Sequence, residues 1–195
     1  GFGFTGDRMP SEADVQEALA QRGRKLNFNA VAQGYSCDTV ASYLNSLGVK
    51  DMLVDIGEIW CRGTNPSGEP WQIGIDNPVD GNDTPGADIR AVWTGDASMR
   101  GQGIVTSGNY RKFYVRDGKK YAHTIDPRTG YPVEHHLLSA TVVAPTAFEA
   151  DALATAFMVM GPDEARLYTL AHPEVEAFLI CSDTTWASPG FTIRK

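Results

Sequence analysis

Asp151 and Thr155, His123 with its neighbours, and Thr106-Ser107-Gly108 are the places in this 195-residue chain where donor atoms stand at spacings suited to chemistry. Asp151 and Thr155 are four apart in "TAFEADALATAFMVMG", a run with helical periodicity, so they share one face. Ala150, Leu153, Phe157 and Met160 form the adjoining apolar stripe, which puts a carboxylate and a hydroxyl beside a buried seam. A hard cation such as Mg²⁺ takes oxygen ligands of this kind and completes its shell with phosphate and water. Taken alone, the ordinary reading of Asp151 is a solvated carboxylate near a helix N-terminus.

His123 sits in "YAHTIDPRTGYP". A single histidine near a strand end is more often structural than catalytic. Here Asp126-Pro127 removes a donor and fixes φ, and Thr129-Gly130 supports a tight turn, so the hairpin can hold an imidazole as a general base. His135, His136 and His172 lack such surroundings and are expected at the surface. "TSG" at 106–108 ends a strand-like run, where small residues let backbone N–H groups approach a phosphate, although the tripeptide is common in ordinary loops. "NFNAVAQGYSCD", 27–38, packs small residues before a helix, with Gly34 permitting close backbone approach.

The elements that must position these groups can be read from periodicity and punctuation. Helices are expected in "PSEADVQEALAQRG", capped by Ser11 and stopped by Gly23, and in "CDTVASYLNSLG", closed by Gly48. A third runs from Thr146, with Glu149 at capping-box spacing, to Gly161-Pro162, and a shorter fourth lies in "PDEARLYTLAH". Strands are expected in "DMLVDIG", "WQIGI", "IRAVWT", "GIVTSG", "KFYVRDGKKYAHTI", "SATVVA", "VEAFLI" and "FTIRK". Asp117-Gly118 gives the fifth a type I′ hairpin signal, and "NPVDGNDTPGAD" is a polar surface loop. Strand after strand in the middle, with helices before and after, predicts a single α+β domain over 1–195 with largely antiparallel sheet.

Composition narrows the function classes. The net charge of −7, with no lysine or arginine cluster of more than a few residues, argues against an extended nucleic-acid or anionic-membrane footprint. Any phosphate must therefore be held locally, by a cation, backbone N–H groups or a few side chains. Cys37, Cys61 and Cys181 are far apart and match no zinc spacing, and there is no apolar run of membrane-spanning length.

In chain order, these segments resemble the ApbE-like flavin transferases, once described as thiamine-biosynthesis lipoproteins. "NFNAVAQGYSCD" is similar to the family's D-x-G-x-I-A-K-G-Y-x-x-D, "LVDIGEIWCRG" to N-I-G-G-E-x-x-x-x-G, and "TSGNY" to T-S-G-x-Y. "HTIDPRTGYP" matches H-x-x-D-P-x-T-G-x-P, and "ADALATAFMVMG" matches A-D-x-L-A-T-A-x-x-x-x-G. The resemblance implies an α+β ApbE-like fold lacking its N-terminal part, about two-thirds of the usual family length.

It further implies FAD as substrate with Mg²⁺, and transfer of FMN to a Thr or Ser hydroxyl of an acceptor protein with release of AMP. Some members instead hydrolyse FAD to FMN and AMP, and a flavin-binding protein without turnover is a third possibility. By position, Asp151, Thr155 and the Ala30 carbonyl are the implied metal ligands and His123 the base. Asn27, Gln33 and Thr124 fall where the family contacts FAD, with Ser107 and Gly108 nearby. Gln33 replaces the usual lysine, Asn27 the usual aspartate, and "DIGEIW" has one glycine, Gly57, where the family has two. Export and a lipid anchor, hence a periplasmic or membrane-face location of the parent protein, are implied by the resemblance alone.

Overall fold

The structure, a computed structural model, describes residues 10–21, 27–110, 113–116 and 119–194. In chain order its elements are α1 (Glu12–Ala20), α2 (Ala32–Ser46), β1 (Met52–Asp55), β2 (Ile59–Arg62), β3 (Gln72–Asp76) and β4 (Ile89–Thr94). There follow β5 (Gln102–Gly108), β6 (Phe113–Arg116), β7 (Lys119–Ala122), β8 (Leu137–Ala144), α3 (Ala147–Met160), α4 (Pro162–Ala171), β9 (Glu176–Cys181), β10 (Thr185–Ala187) and β11 (Ile193–Arg194). Among the described residues every strand pair is antiparallel, so the expected α+β class with antiparallel sheet is what the chain adopts.

A six-stranded sheet in the order β1-β2-β5-β8-β9-β10 forms the middle layer. One face, with Val105, Val142 and Leu179, buries Phe157 and Met158 of α3 and Ala165 of α4. The other, with Ile104, Val143, Phe178 and Ile180, packs on Ile75, Ala91 and Trp93 of the three-stranded sheet β11-β4-β3. Coverage on both faces explains why β8 and β9 are nearly continuous apolar runs rather than alternating ones. A third cluster of Cys37, Ala41, Met52, Val54, Trp60 and Ala147 seats α2 against β1, β2 and the start of α3.

Local signals place most boundaries. Ser11 makes a reciprocal capping box with Asp14, and Thr146 accepts from the Glu149 N–H at 3.1 Å to start α3. Gly161, at φ +84°, ends that helix, and Pro162 opens α4. Strands β6 and β7 pair with Arg116 opposite Lys119, while the expected Asp117-Gly118 turn between them lies outside the described residues, as does Gly23.

Three expectations are corrected. α2 begins at Ala32, five residues before the cysteine where its periodicity starts, because Gly34 must enter the helix for close packing on α3. Strands β2 and β10, of four and three residues, were not expected: they are too short to show a period, and pairing with β1, β5 and β9 defines them. His135 and His172 are half-buried rather than at the surface. His135 Nε2 lies 2.9 Å from the Met158 carbonyl at the end of α3, and His172 stacks on Tyr168 at 4.0 Å between centroids. His136 is exposed as expected.

Candidate functional site

The site starts from a close helix crossing. A Cβ on Gly34 would stand 2.3 Å from the Ala147 carbonyl oxygen and 2.9 Å from Asp151 Cβ, so only glycine lets α2 approach α3 this closely. That approach brings the Gly34 N–H to Asp151, whose Oδ2 accepts it at 3.0 Å. Asp151 is 5% exposed, which sets aside the reading of a solvated carboxylate. Burial pushes its pKa up, and the Gly34 hydrogen bond opposes that shift by favouring the ionised form. Oδ1 receives no hydrogen bond from the described residues.

Asp38, one turn along α2 from Gly34, fixes the other end of the crossing. Its two carboxylate oxygens accept the N–H groups of Ala147 at 2.9 Å and Phe148 at 2.8 Å, capping α3 from a neighbouring helix. One helical turn beyond Asp151, Thr155 Oγ1 lies 3.3 Å from Ser107 Oγ on β5. The strand carries Ser107 there because Gly103, Val105 and Ser107 share the face toward α3, and a Cβ on Gly103 would meet Ala147 Cα at 2.4 Å.

The histidine hairpin joins from the far side of Ser107. Gly108 ends β5, the Asn109 N–H donates to Leu138 O at 3.0 Å, and Asn109 Oδ1 accepts from Thr124 Oγ1 at 2.9 Å. His123, exposed, lies between β7 and that fixed threonine. The following turn is closed by an Ile125–Pro132 bridge and by the Gly130 N–H to Asp126 O at 2.8 Å. The Arg128 side chain grips Asp126 through Nε and Nη2 and holds its carboxyl below the usual carboxylate range. Gly130, at φ +77°, sits against Val15 of α1, where a Cβ would approach Val15 Cγ1 to 2.6 Å.

Gln33 reaches the site by another route. Its Nε2 donates to Ile56 O at 3.2 Å in the turn between β1 and β2. This turn presents Glu58, a half-buried carboxyl that residue spacing alone does not single out. Desolvation first, then the charges of Asp151 and Asp55, push its pKa up to about 8. Of the two acids, Asp151 has the Gly34 donor, which favours its charged form, while Glu58 accepts no such hydrogen bond among the described residues. The signal that could have found Glu58 was its match to the glutamate of N-I-G-G-E-x-x-x-x-G, directly after Gly57.

The structure thus brings together Asp151, Thr155 and Ser107, links Gly108 through Asn109 to Thr124 and His123, and links Gln33 to the Glu58 turn. Ala30 lies in the turn leading into α2. Asn27 Oδ1 accepts from the Asn29 N–H at 2.8 Å, so its carboxamide shapes that same turn. No hydrogen bond among the described residues ties Asn27 to Asp151, Thr155 or His123. A carboxylate, a hydroxyl and a backbone carbonyl are all hard oxygen donors, and one Asp151 oxygen accepts no hydrogen bond from the described residues. These residues fit a small oxygen-seeking cation and no thiophilic one.

Oxygen donors at a helix crossing, hydroxyls at a strand end and a histidine on a braced hairpin are the kinds of group that cation-assisted group transfer would use. The chain belongs to the ApbE family, whose model matches residues 1–179. It is 38% identical to the FAD:protein FMN transferase of Escherichia coli K12, over 85% of this chain and 46% of that protein. With the FAD:protein FMN transferase of Salmonella typhimurium the identity is 37%, over 97% of this chain and 60% of that protein.

Among solved structures, the apo flavinyl transferase ApbE of Pseudomonas stutzeri superposes with a TM-score of 0.78 at 33% identity, covering 97% of this chain and 63% of that one. The flavin transferase ApbE of Vibrio cholerae gives 0.74 at 28%, covering 95% and 63%. The chain therefore spans about half to three-fifths of the length of the curated relatives it matches.

Proposed function

We propose that this chain supplies the metal-binding and base-bearing part of a Mg²⁺-dependent FAD:protein FMN transferase. The observation that supports it most is Asp151: a carboxylate 5% exposed, held by Gly34 at a helix crossing, one turn from a hydroxyl pair. Asp151, Thr155 and the Ala30 carbonyl would hold the ion, which when bound neutralises pyrophosphate charge. Gln33, Ser107, Gly108 and Thr124, with Asn27 on the approach to α2, would border the FAD.

His123 would accept the proton of the acceptor's Thr or Ser hydroxyl. In that step the hydroxyl oxygen bonds to the phosphorus of the FMN half, the phosphoanhydride P–O bond breaks, and AMP leaves with the electron pair. A base is needed because a hydroxyl is a weak nucleophile at neutral pH. Work on an exported acceptor at a membrane face, with the parent protein lipid-anchored in the periplasm, belongs to the same proposal. Among the described residues no helix is long and apolar enough to cross a membrane.

The test incubates this chain, and the whole protein containing it, with FAD, Mg²⁺ and an acceptor carrying a suitable threonine, reading intact mass and AMP together. The expected result is an FMN-sized gain on the acceptor matched by AMP, both lost in Asp151→Ala. AMP without an adduct would replace transfer by FAD hydrolysis. Flavin binding with neither product would leave a binding protein.

A further inference from the structure

The β1–β2 turn is built around Glu58 more tightly than a connection between two short strands requires. Four hydrogen bonds fix its backbone: Gln33 Nε2 to Ile56 O at 3.2 Å, Ile56 N–H to Glu58 O at 3.1 Å, Gly57 N–H to Asp55 Oδ1 at 3.0 Å, and the Cys37 thiol to Glu58 O at 3.0 Å. Gly57 takes φ +100°, a backbone conformation that favours glycine, and the tip of Gln33 packs against it. Directly after it, Ile59 pairs with Ile104 on β5. All this rigidity presents a carboxyl that makes no side-chain hydrogen bond or ion pair among the described residues.

Cys37, whose thiol meets the Glu58 carbonyl, and Gly34, whose N–H meets Asp151, stand one turn apart on α2, so the Glu58 turn and Asp151, itself more than nine-tenths buried, lie against the same stretch of helix. Among the described residues no lysine or arginine is paired with either acid. Residue 33, which braces the turn, is a glutamine and adds no positive charge. A buried and a half-buried carboxyl group set against the same stretch of α2, with no organic cation paired to either among the described residues, are a mismatch that a bound cation removes.

We propose that Glu58 is a further cation-facing residue of this site, its carboxylate sharing with Asp151 the charge of a divalent ion, directly or through a bound water. The inference rests on the placement of the metal at Asp151 and Thr155. It adds to that set an acid carried by the β1–β2 turn, so that the turn, α2 and α3 all meet at the ion. Gln33 then acts at one remove, as a positioning residue for the turn.

The experiment is calorimetric titration of Mn²⁺, without flavin, into the whole protein carrying Glu58→Gln, Glu58→Asp or Asp151→Asn, with thermal melts of the metal-free forms. Glu58→Gln is expected to weaken Mn²⁺ binding by about 10–100-fold, the range for groups that support metal ligands. Glu58→Asp should recover part of the loss, while the metal-free melting temperature of Glu58→Gln stays level or rises. Unchanged Mn²⁺ affinity in Glu58→Gln, with affinity lost in Asp151→Asn, overturns the role of Glu58 and leaves the metal site standing. Unchanged affinity in Asp151→Asn overturns the metal site and this inference with it. A lowered metal-free melting temperature in Glu58→Gln would instead mark the residue as structural.

Discussion

His123 is exposed, yet Thr124 beside it is tied to Asn109 and the Asp126–Tyr131 turn is braced by Arg128, so the imidazole stands on a fixed base. If it acts as the base, His123→Ala should slow FMN transfer by roughly 10²–10⁴ while leaving FAD affinity unchanged. Single-turnover kinetics with flavin-fluorescence titration would show this. Lost affinity with normal turnover would instead make the histidine a binding group. Asp151 differs in kind, since it is buried and its chemistry is set by what reaches it: the Gly34 N–H and, on the proposed reading, a cation.

At the scale of elements, the crossing of α2 on α3 governs the site. Gly34 permits the approach, and Asp38 secures it by accepting two N–H groups at the start of α3. Removing Asp38 would leave both donors without their charged acceptor and loosen the turn of α3 that carries Asp151. Asp38→Ala is therefore expected to destabilise the protein by about 1.5–3 kcal/mol, the usual worth of hydrogen bonds to a charged group. Urea unfolding measures this directly. A midpoint equal to that of the parent chain would mean that Thr146 alone caps α3 adequately.

At the scale of the whole molecule, a site built from a strand turn, two helices and a hairpin ties global stability to pH. The folded pKa of Glu58 is raised from the ordinary 4.5 to about 8, so the group is protonated in both states at low pH. Between those values the unfolded chain has released a proton that the folded chain retains. The metal-free protein should therefore lose stability as pH rises through this window and level off above about 8. Urea midpoints taken from acid to mildly alkaline pH should fall for the parent and fall less for Glu58→Gln. Parallel profiles for the two would sink the assignment.

Local chemistry was legible in the sequence. Ser11 and Thr146 announced two helix starts, Gly161-Pro162 a stop, the four-residue step from Asp151 to Thr155 a shared face, and the Asp126–Gly130 stretch a tight turn. Each depends on contacts within a few residues, which spacing and residue type encode directly. Pairing across the chain decided the rest. Strands β2 and β10 exist because neighbours complete their ladders, and α2 starts early because Gly34 is needed at the crossing. His135 is half-buried because a helix end 23 residues away offers it a carbonyl. Glu58 and Asp151 lie 93 positions apart and carry no mutual period, so only the folded sheet and helices could reveal that both acids are held against one stretch of α2.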